Sequence, residues 1–309
     1  MSTKPLVLLA VLASCAVLRA EPLDQRQIAA DAKWLAHLDL DALRDAPSAK
    51  VLVAAWLQTE PARGHLAGIQ KAVGLDVVRD LRSITLFGDE LVTDRGVLVV
   101  RAPLDKARVT EFLARQPGYA EQKHDGREVL TWTERRAGQT HTVFGAMLGR
   151  ECIVFSRDVG DLTTALEMLD GKTAHLGESD SPLQGPAPEG TVLLVRASGL
   201  SEAKLALKSP ILRLSETIDL TAGEDGAGTA FVEIRLTAAS AEFVPHFHDV
   251  ANGLVALARL MRANDKDVLR LLDAITISTD ERTVSARWSG HLADILQAVG
   301  NERLRTQYD

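Results

Sequence analysis

The chain has 309 residues, 46% of them hydrophobic and 25% charged, with 22 Gly, 11 Pro and a formal net charge of −7. These are ordinary globular values and exclude a disordered or fibrous chain; an acidic balance without a basic stripe argues against nucleic-acid binding. The length accommodates two domains, or one domain built from two similar halves.

The N-terminus reads "MSTKPLVLLAVLASCAVLRAEPLDQ". Lys4 is a short positive region, Pro5 to Leu18 is apolar, and the small Ala20 precedes polar "EPLDQRQ". That is the three-part layout of a secretory signal, predicted over residues 1–20 and removed on export. The apolar run is shorter than the ~20 residues that span a bilayer; the alternative is an uncleaved anchor. A second alternative is acylation, since "LASC" resembles a lipobox ending at Cys15. Against it, the signal would be short, and apolar "AVLRA" would stand where a polar tether is usual. A lipid at Cys15 would anchor the protein to a membrane rather than leave it free. No later stretch is apolar enough to span, so an extracytoplasmic protein with no membrane span is expected. Once the signal leaves, Cys152 is the single cysteine, set in the apolar run "ECIVFS". A buried, inert thiol is the expectation there.

In chain order, the first element is the strand around "HLDLDAL". His37, Asp39 and Asp41 share one face of it, and Trp34, Ala36, Leu38 and Leu40 the other. The polar trio reads as a solvated face, with Asp41 capping the next helix. It is also the first place to look for an acid–base or cation site. Next, "ITLFGDELVTDRGVLVVR" (84–101) predicts a β-hairpin, and "DKARVTEFLAR" a helix. "GYAEQKHDGREVLTWTE" predicts a second hairpin on an Asp125-Gly126 turn. "HTVFGAMLGRECIVFS" gives a third, before an amphipathic helix in "DVGDLTTALEML". The Gly-, Pro- and Ser-rich stretch 176–190 reads as an exposed connector.

Beyond it the pattern returns. "IDLTAGEDGAGTAFVEIR" (218–235) aligns with 84–101 without a gap. Ile84 matches Ile218, Leu86 Leu220, Val97 Phe231, Leu98 Val232, Val100 Ile234 and Arg101 Arg235. More loosely, "LAHLDLDAL" parallels "VLLVRASGL", and each half closes on a hairpin and a helix, the second being "HLADILQAV". The predicted fold is α+β: two similar β-hairpin-plus-helix halves (21–175 and 191–309), antiparallel sheets, and helices packed on one face.

The most chemical-looking cluster is "PHFHDV", with His246, His248 and Asp249. Phe243, Phe247, Val250, Leu254, Leu257 and Met261 recur at helical spacing, which turns Phe247 inward. At about 100° per residue the two imidazoles stand about 200° apart. Helical metal pairs need three- or four-residue spacing, so these two cannot share an ion. His246 and Asp249 do have the spacing of a weak pair. The aligned half puts Phe112 at the position of His246, which marks a core boundary. Pro245 is expected to start or kink this helix. The loop acids Asp89, Glu90, Asp94, Glu224 and Asp225 lack the EF-hand pattern and read as turn chemistry. No nucleophile elbow, P-loop, C-x-x-C, H-E-x-x-H or dinucleotide fingerprint occurs. No cofactor or metal ligand is therefore assigned, and no catalytic residue is named.

The stretches "AKWLAHLDLDALRDA", "LRSITLFG", "GVLVVRA", "LDGK" and "GTVLLVRASGL" resemble a set of exported proteins of planctomycete-type bacteria. The resemblance implies an extracytoplasmic place and carries no activity with it. The expectation is an exported, non-enzymatic protein acting through surface contacts, with an envelope protein as partner and the oligomeric state open. Leu- and Val-rich helices at 159–169 and 254–272 would supply the surface. The alternative is an extracytoplasmic hydrolase or metal-dependent enzyme, its site near His37, Asp39 and Asp41.

Overall fold

The computed structural model describes residues 23–291 apart from 92–94, 125, 137 and 203–208. Residues 1–20 with Cys15, the loop acid Asp94, the turn residue Asp125 and nearly all of "HLADILQAV" lie outside the described residues.

The twelve strands are β1 (Trp34–Asp39), β2 (Ser83–Gly88), β3 (Val97–Arg101), β4 (Ala120–His124), β5 (Arg127–Arg136), β6 (Gln139–Leu148), β7 (Cys152–Ser156), β8 (Thr191–Ser198), β9 (Ser215–Glu224), β10 (Ala230–Ala238), β11 (Ile275–Asp280) and β12 (Thr283–Gly290). They form one sheet in the order β11-β12-β10-β9-β8-β1-β2-β3-β7-β6-β5-β4. Every pairing is antiparallel. The centre is the β1–β8 pair, in register from Trp34 opposite Ala197 to Leu38 opposite Leu193. Outward from it, β1-β2-β3-β7-β6 on one side corresponds in order to β8-β9-β10-β12-β11 on the other. The hairpin β4–β5 extends the first side alone, and its edge strand reads "AEQKH", exposed beyond its first residue. Charged side chains on a free edge discourage pairing with another chain.

The α-helices are α1 (Leu40–Asp45), α2 (Pro47–Leu57), α3 (Glu60–Val73), α4 (Val77–Asp80), α5 (Lys106–Leu113), α6 (Val159–Leu169), α7 (Pro210–Arg213), α8 (Val244–Met261) and α9 (Lys266–Asp273). The α+β class and the hairpin-built antiparallel sheet are as expected. The helices, however, divide between both faces of the sheet. Asp158 caps α6 by accepting from Gly160 N and Asp161 N. The buried side of α6 (Leu162, Ala165, Leu166) packs on Phe87, Val97, Val99 and Val154. These strand residues share one face, called here the α6 face. On the other face, Val109 and Leu113 of α5 meet Leu130, Trp132 and Ile153. Also there, Val244 and Phe247 of α8 meet Leu236 and Val284. The strand period of two makes the reason plain: Ile153 and Val154 are adjacent, so each serves a different core.

The connector 176–190 is not a free linker. Leu176 and Leu183 are 0% and 1% exposed and belong to the α6-side core. Arg196, itself 7% exposed, donates to the carbonyls of Leu183 (3.0 Å), Gly185 (2.8 Å) and Pro186 (3.1 Å). Its Nε pairs with Asp219 at 2.9 Å. A Gly- and Pro-rich run predicts irregular backbone correctly; here its carbonyls find a buried guanidinium instead of water.

Candidate functional site

The structure separates the trio His37, Asp39 and Asp41. His37 and Asp39 are 6% and 2% exposed and lie on the same side of the sheet as Phe87, the α6 face, so theirs is the buried side of β1. The solvated face expected for them is in fact the other one, carrying Trp34, Ala36 and Leu38, all half-buried. His37 Nδ1 lies 2.8 Å from Thr85 Oγ1, directly across the β1–β2 ladder. Asp39, rather than Asp41, caps α1, accepting from Ala42 N at 2.8 Å. Asp41 lies in the first turn of α1 and pairs with Arg44. Two members are thus buried in the interior, and the third is taken up in a half-buried ion pair with Arg44. Replacing Asp39 with Ala is expected to cost at least about 1 kcal/mol in chemical denaturation, while Asn, an equal cap, keeps most of it.

"PHFHDV" resolves as the helical geometry requires. Phe247 is 3% exposed in the core with Val244, Ala238 and Val284, while His246 is exposed and His248 half-buried. Pro245 occupies the first turn of α8, where a missing N–H costs nothing. The weak pair forms from His248 rather than His246, with Nδ1 3.8 Å from Asp249. Among the described residues no group of three or more His, Cys, Asp or Glu could hold a metal ion. Asp225 accepts from Ala227 N (3.0 Å) and Thr229 N (2.9 Å), which is turn chemistry. Cys152 is buried at 7% exposure.

What the fold does assemble is an apolar surface on the face opposite α6. Across its middle run Leu86, Val232 and Ile234, each close to 40% exposed (38%, 40% and 38%). The helices leave this band open because α5 packs beside Val100 and Ile153, and α8 beside Leu236 and Val284, at opposite strand ends. Beyond its first two turns α8 also leaves the core. Val250, Leu254, Leu257 and Met261, expected to face inward with Phe247, are 41%, 60%, 52% and 75% exposed, and Leu260 is 74% exposed.

On the first side of this face lies a cavity of about 390 Å³. Leu86, Leu98 and Phe155 form its floor, and Trp34 and Trp132 its walls. Arg95, Arg157 and Glu134 are the charged residues of its lining. Glycines shape it. A Cβ on Gly88 would come within 2.8 Å of the Trp34 ring, and one on Gly145 within 3.0 Å of Phe155. Their bareness lets Trp34 lie on the backbone and lets Trp132 meet Phe155 edge-on, at 5.8 Å and 87°. Both indole N–H groups are satisfied, Trp34 by the Glu90 carbonyl at 2.8 Å and Trp132 by Glu134 at 3.3 Å. Arg95 is held more firmly protonated than usual, first by its hydrogen bond to Asp161, then by the charges of Asp161 and Glu90. A sequence signal for this site exists only in hindsight: "WLAHL" and "VLTWTE" each set Trp among alternating apolar residues.

The fold thus defines an α+β protein with one antiparallel sheet that carries exposed apolar residues on the face opposite α6. No family model matches the chain, and no curated protein does. The solved structure of TP0453 in crystal form I is similar over 91% of this chain and 98% of its own, at 10% identity and a TM-score of 0.46.

Proposed function

We propose that this is an exported, non-enzymatic protein of the periplasm or cell envelope that acts through apolar surface contacts. The observation that carries the reading is the overhanging stripe of α8. Leu254, Leu257, Leu260 and Met261 are each more than half exposed (60%, 52%, 74% and 75%). Contiguous exposed apolar area of this kind marks interaction surfaces, since solvation of it is unfavourable. The signal-like layout of residues 1–20 supports export. Among the described residues no helix is long and apolar enough to cross a membrane.

Two measurements test this. Mass spectrometry of the mature N-terminus is expected to find Glu21; an acylated Cys15 would instead make the protein lipid-tethered. The double variant Leu257→Glu, Met261→Glu is expected to fold normally, within about 0.5 kcal/mol of the parent, and to lose association with envelope fractions. Undiminished association would remove the α8 stripe as the contact surface.

A further inference from the structure

We propose that a second copy of this chain adds its β11 to the β11 edge, antiparallel and alongside α8, so that two sheets join about a two-fold axis. The first half of the fold shows what belongs at that edge. β6 and β11 are corresponding strands, and α5 and α8 are the helices that follow β3 and β10. In the alignment that matches Ile84 with Ile218, Val109 of α5 falls on Phe243, and Leu113 on Phe247. The first half continues past β6 into β5, whose Leu130 and Trp132 pack with Val109 and Leu113 of α5. The second half ends its sheet at β11. Yet α8 is the longer helix, 18 residues against 8, and past its second turn it stays bare. Its apolar residues stand where the counterpart of β5 would run.

β11 has the chemistry to fill that place. Ile277 packs with Phe247, and Ile275 shares its face, spaced two apart like Leu130 and Trp132. From Ala274 to Thr279 the segment carries no charge, Gly or Pro, whereas the opposite edge, β4, carries Glu121 and Lys123. Charges protect an edge, and a neutral, β-branched edge offers its N–H and C=O groups for pairing. A second copy is the occupant selected, because one segment supplies both the open edge and the matching strand. A two-fold axis normal to the sheet makes the pairing antiparallel and sets both α8 helices on one face. Val250, Leu254, Leu257, Leu260 and Met261 are 41–75% exposed. With the β11 edge they come to the order of the ~800 Å² per partner that a stable interface buries.

The proposal rests on α8 being a contact surface and names the partner it takes. Sedimentation equilibrium of the full chain is expected to fit a reversible monomer–dimer scheme, with the dimer dominant at about 10 μM. Thr276→Lys with Ser278→Lys, both exposed on β11, sets like charges against each other across the two-fold. It should weaken the dimer by about tenfold or more. Gln122→Lys, exposed on the β4 edge, should leave it unchanged. Leu257→Glu with Met261→Glu should weaken it as the lysines do. In the unaltered protein, exchange of the β11 amides should slow as concentration rises through the dimer range while that of β4 stays constant, a readout that needs no variant to fold. A chain still monomeric at about 100 μM, β11 exchange indifferent to concentration, or a dimer unaffected by the paired lysines would each overturn the assignment. A monomer whose envelope association depends on α8 would discard the second copy and keep the contact-surface reading. A dimer lost in the α8 double variant, while that variant stays with the envelope fractions, would keep this interface and discard envelope contact through α8.

Discussion

Replacing Phe247 with alanine is expected to lower the unfolding free energy by about 3–5 kcal/mol, the range for a buried Phe cut back to a methyl. The residue is 3% exposed and, together with Val244, anchors α8 against Val284 and Ala238, with Leu236 and Ile277 alongside. This is the small core of the second half, so the cavity left behind has few neighbours able to close it. The rest of α8 gives little help, because its later apolar residues face solvent. The loss should therefore appear as detachment of α8 as well as reduced global stability. Urea denaturation would give the first quantity, and hydrogen exchange along α8 the second. Alanine at both His246 and His248 is the matched control. Neither imidazole lies in the core, and the change should stay within about 0.5 kcal/mol. A loss below about 1 kcal/mol for Phe247→Ala would mean that α8 is not held by this contact.

Arg196→Ala should cost about 3 kcal/mol and free the 176–190 segment. This buried guanidinium donates four hydrogen bonds, three to connector carbonyls and one to Asp219. Removing one partner of a buried pair typically costs about 3–5 kcal/mol, because the other is left without compensation. Here Asp219 keeps a quarter of its side chain exposed (25%), and the hydration it retains places the cost at the low end. The carbonyls of Leu183, Gly185 and Pro186 must then find water, which lifts Leu183 from the core. Limited proteolysis within 176–190, absent in the parent and rapid in the variant, is the specific sign. Arg196→Met, which keeps the aliphatic volume and loses the bonds, should behave alike. Resistance of both variants to cleavage would show that Leu176 and Leu183 hold the segment without Arg196.

These two residues differ in how visible they were beforehand. Phe247 stood on a helical period, and the 100° step separates His246 from His248 whatever the surroundings. Arg196 sat in a strand opposite nothing the sequence could name, because its partners come from a neighbouring strand and a loop that folds back. The acidic–imidazole trio shows the same limit. Alternation assigned His37 and Asp39 to one face of β1 and Trp34, Ala36 and Leu38 to the other, and the structure keeps that division. It could not say which face would be covered. Polarity suggested the apolar one, yet α6 and the folded-back connector lie over the polar one, where Thr85 answers His37 and the α1 backbone answers Asp39.

By itself, then, the sequence determined the local terms: the α+β class, the hairpins, and the inward turn of Phe247 between two histidines outside the core. All follow from periods of 3.6 and 2 and from turn chemistry, which act within a few residues. Only the tertiary structure decided how β1 and β8 join the halves into one sheet, which face each helix covers, and where apolar area is left open. Those outcomes depend on contacts between residues far apart in the chain. The cavity lined by Trp34 and Trp132 is the clearest case: the two residues stand on β1 and β5, and only the sheet order, with β2, β3, β7 and β6 between them, puts both around one hollow.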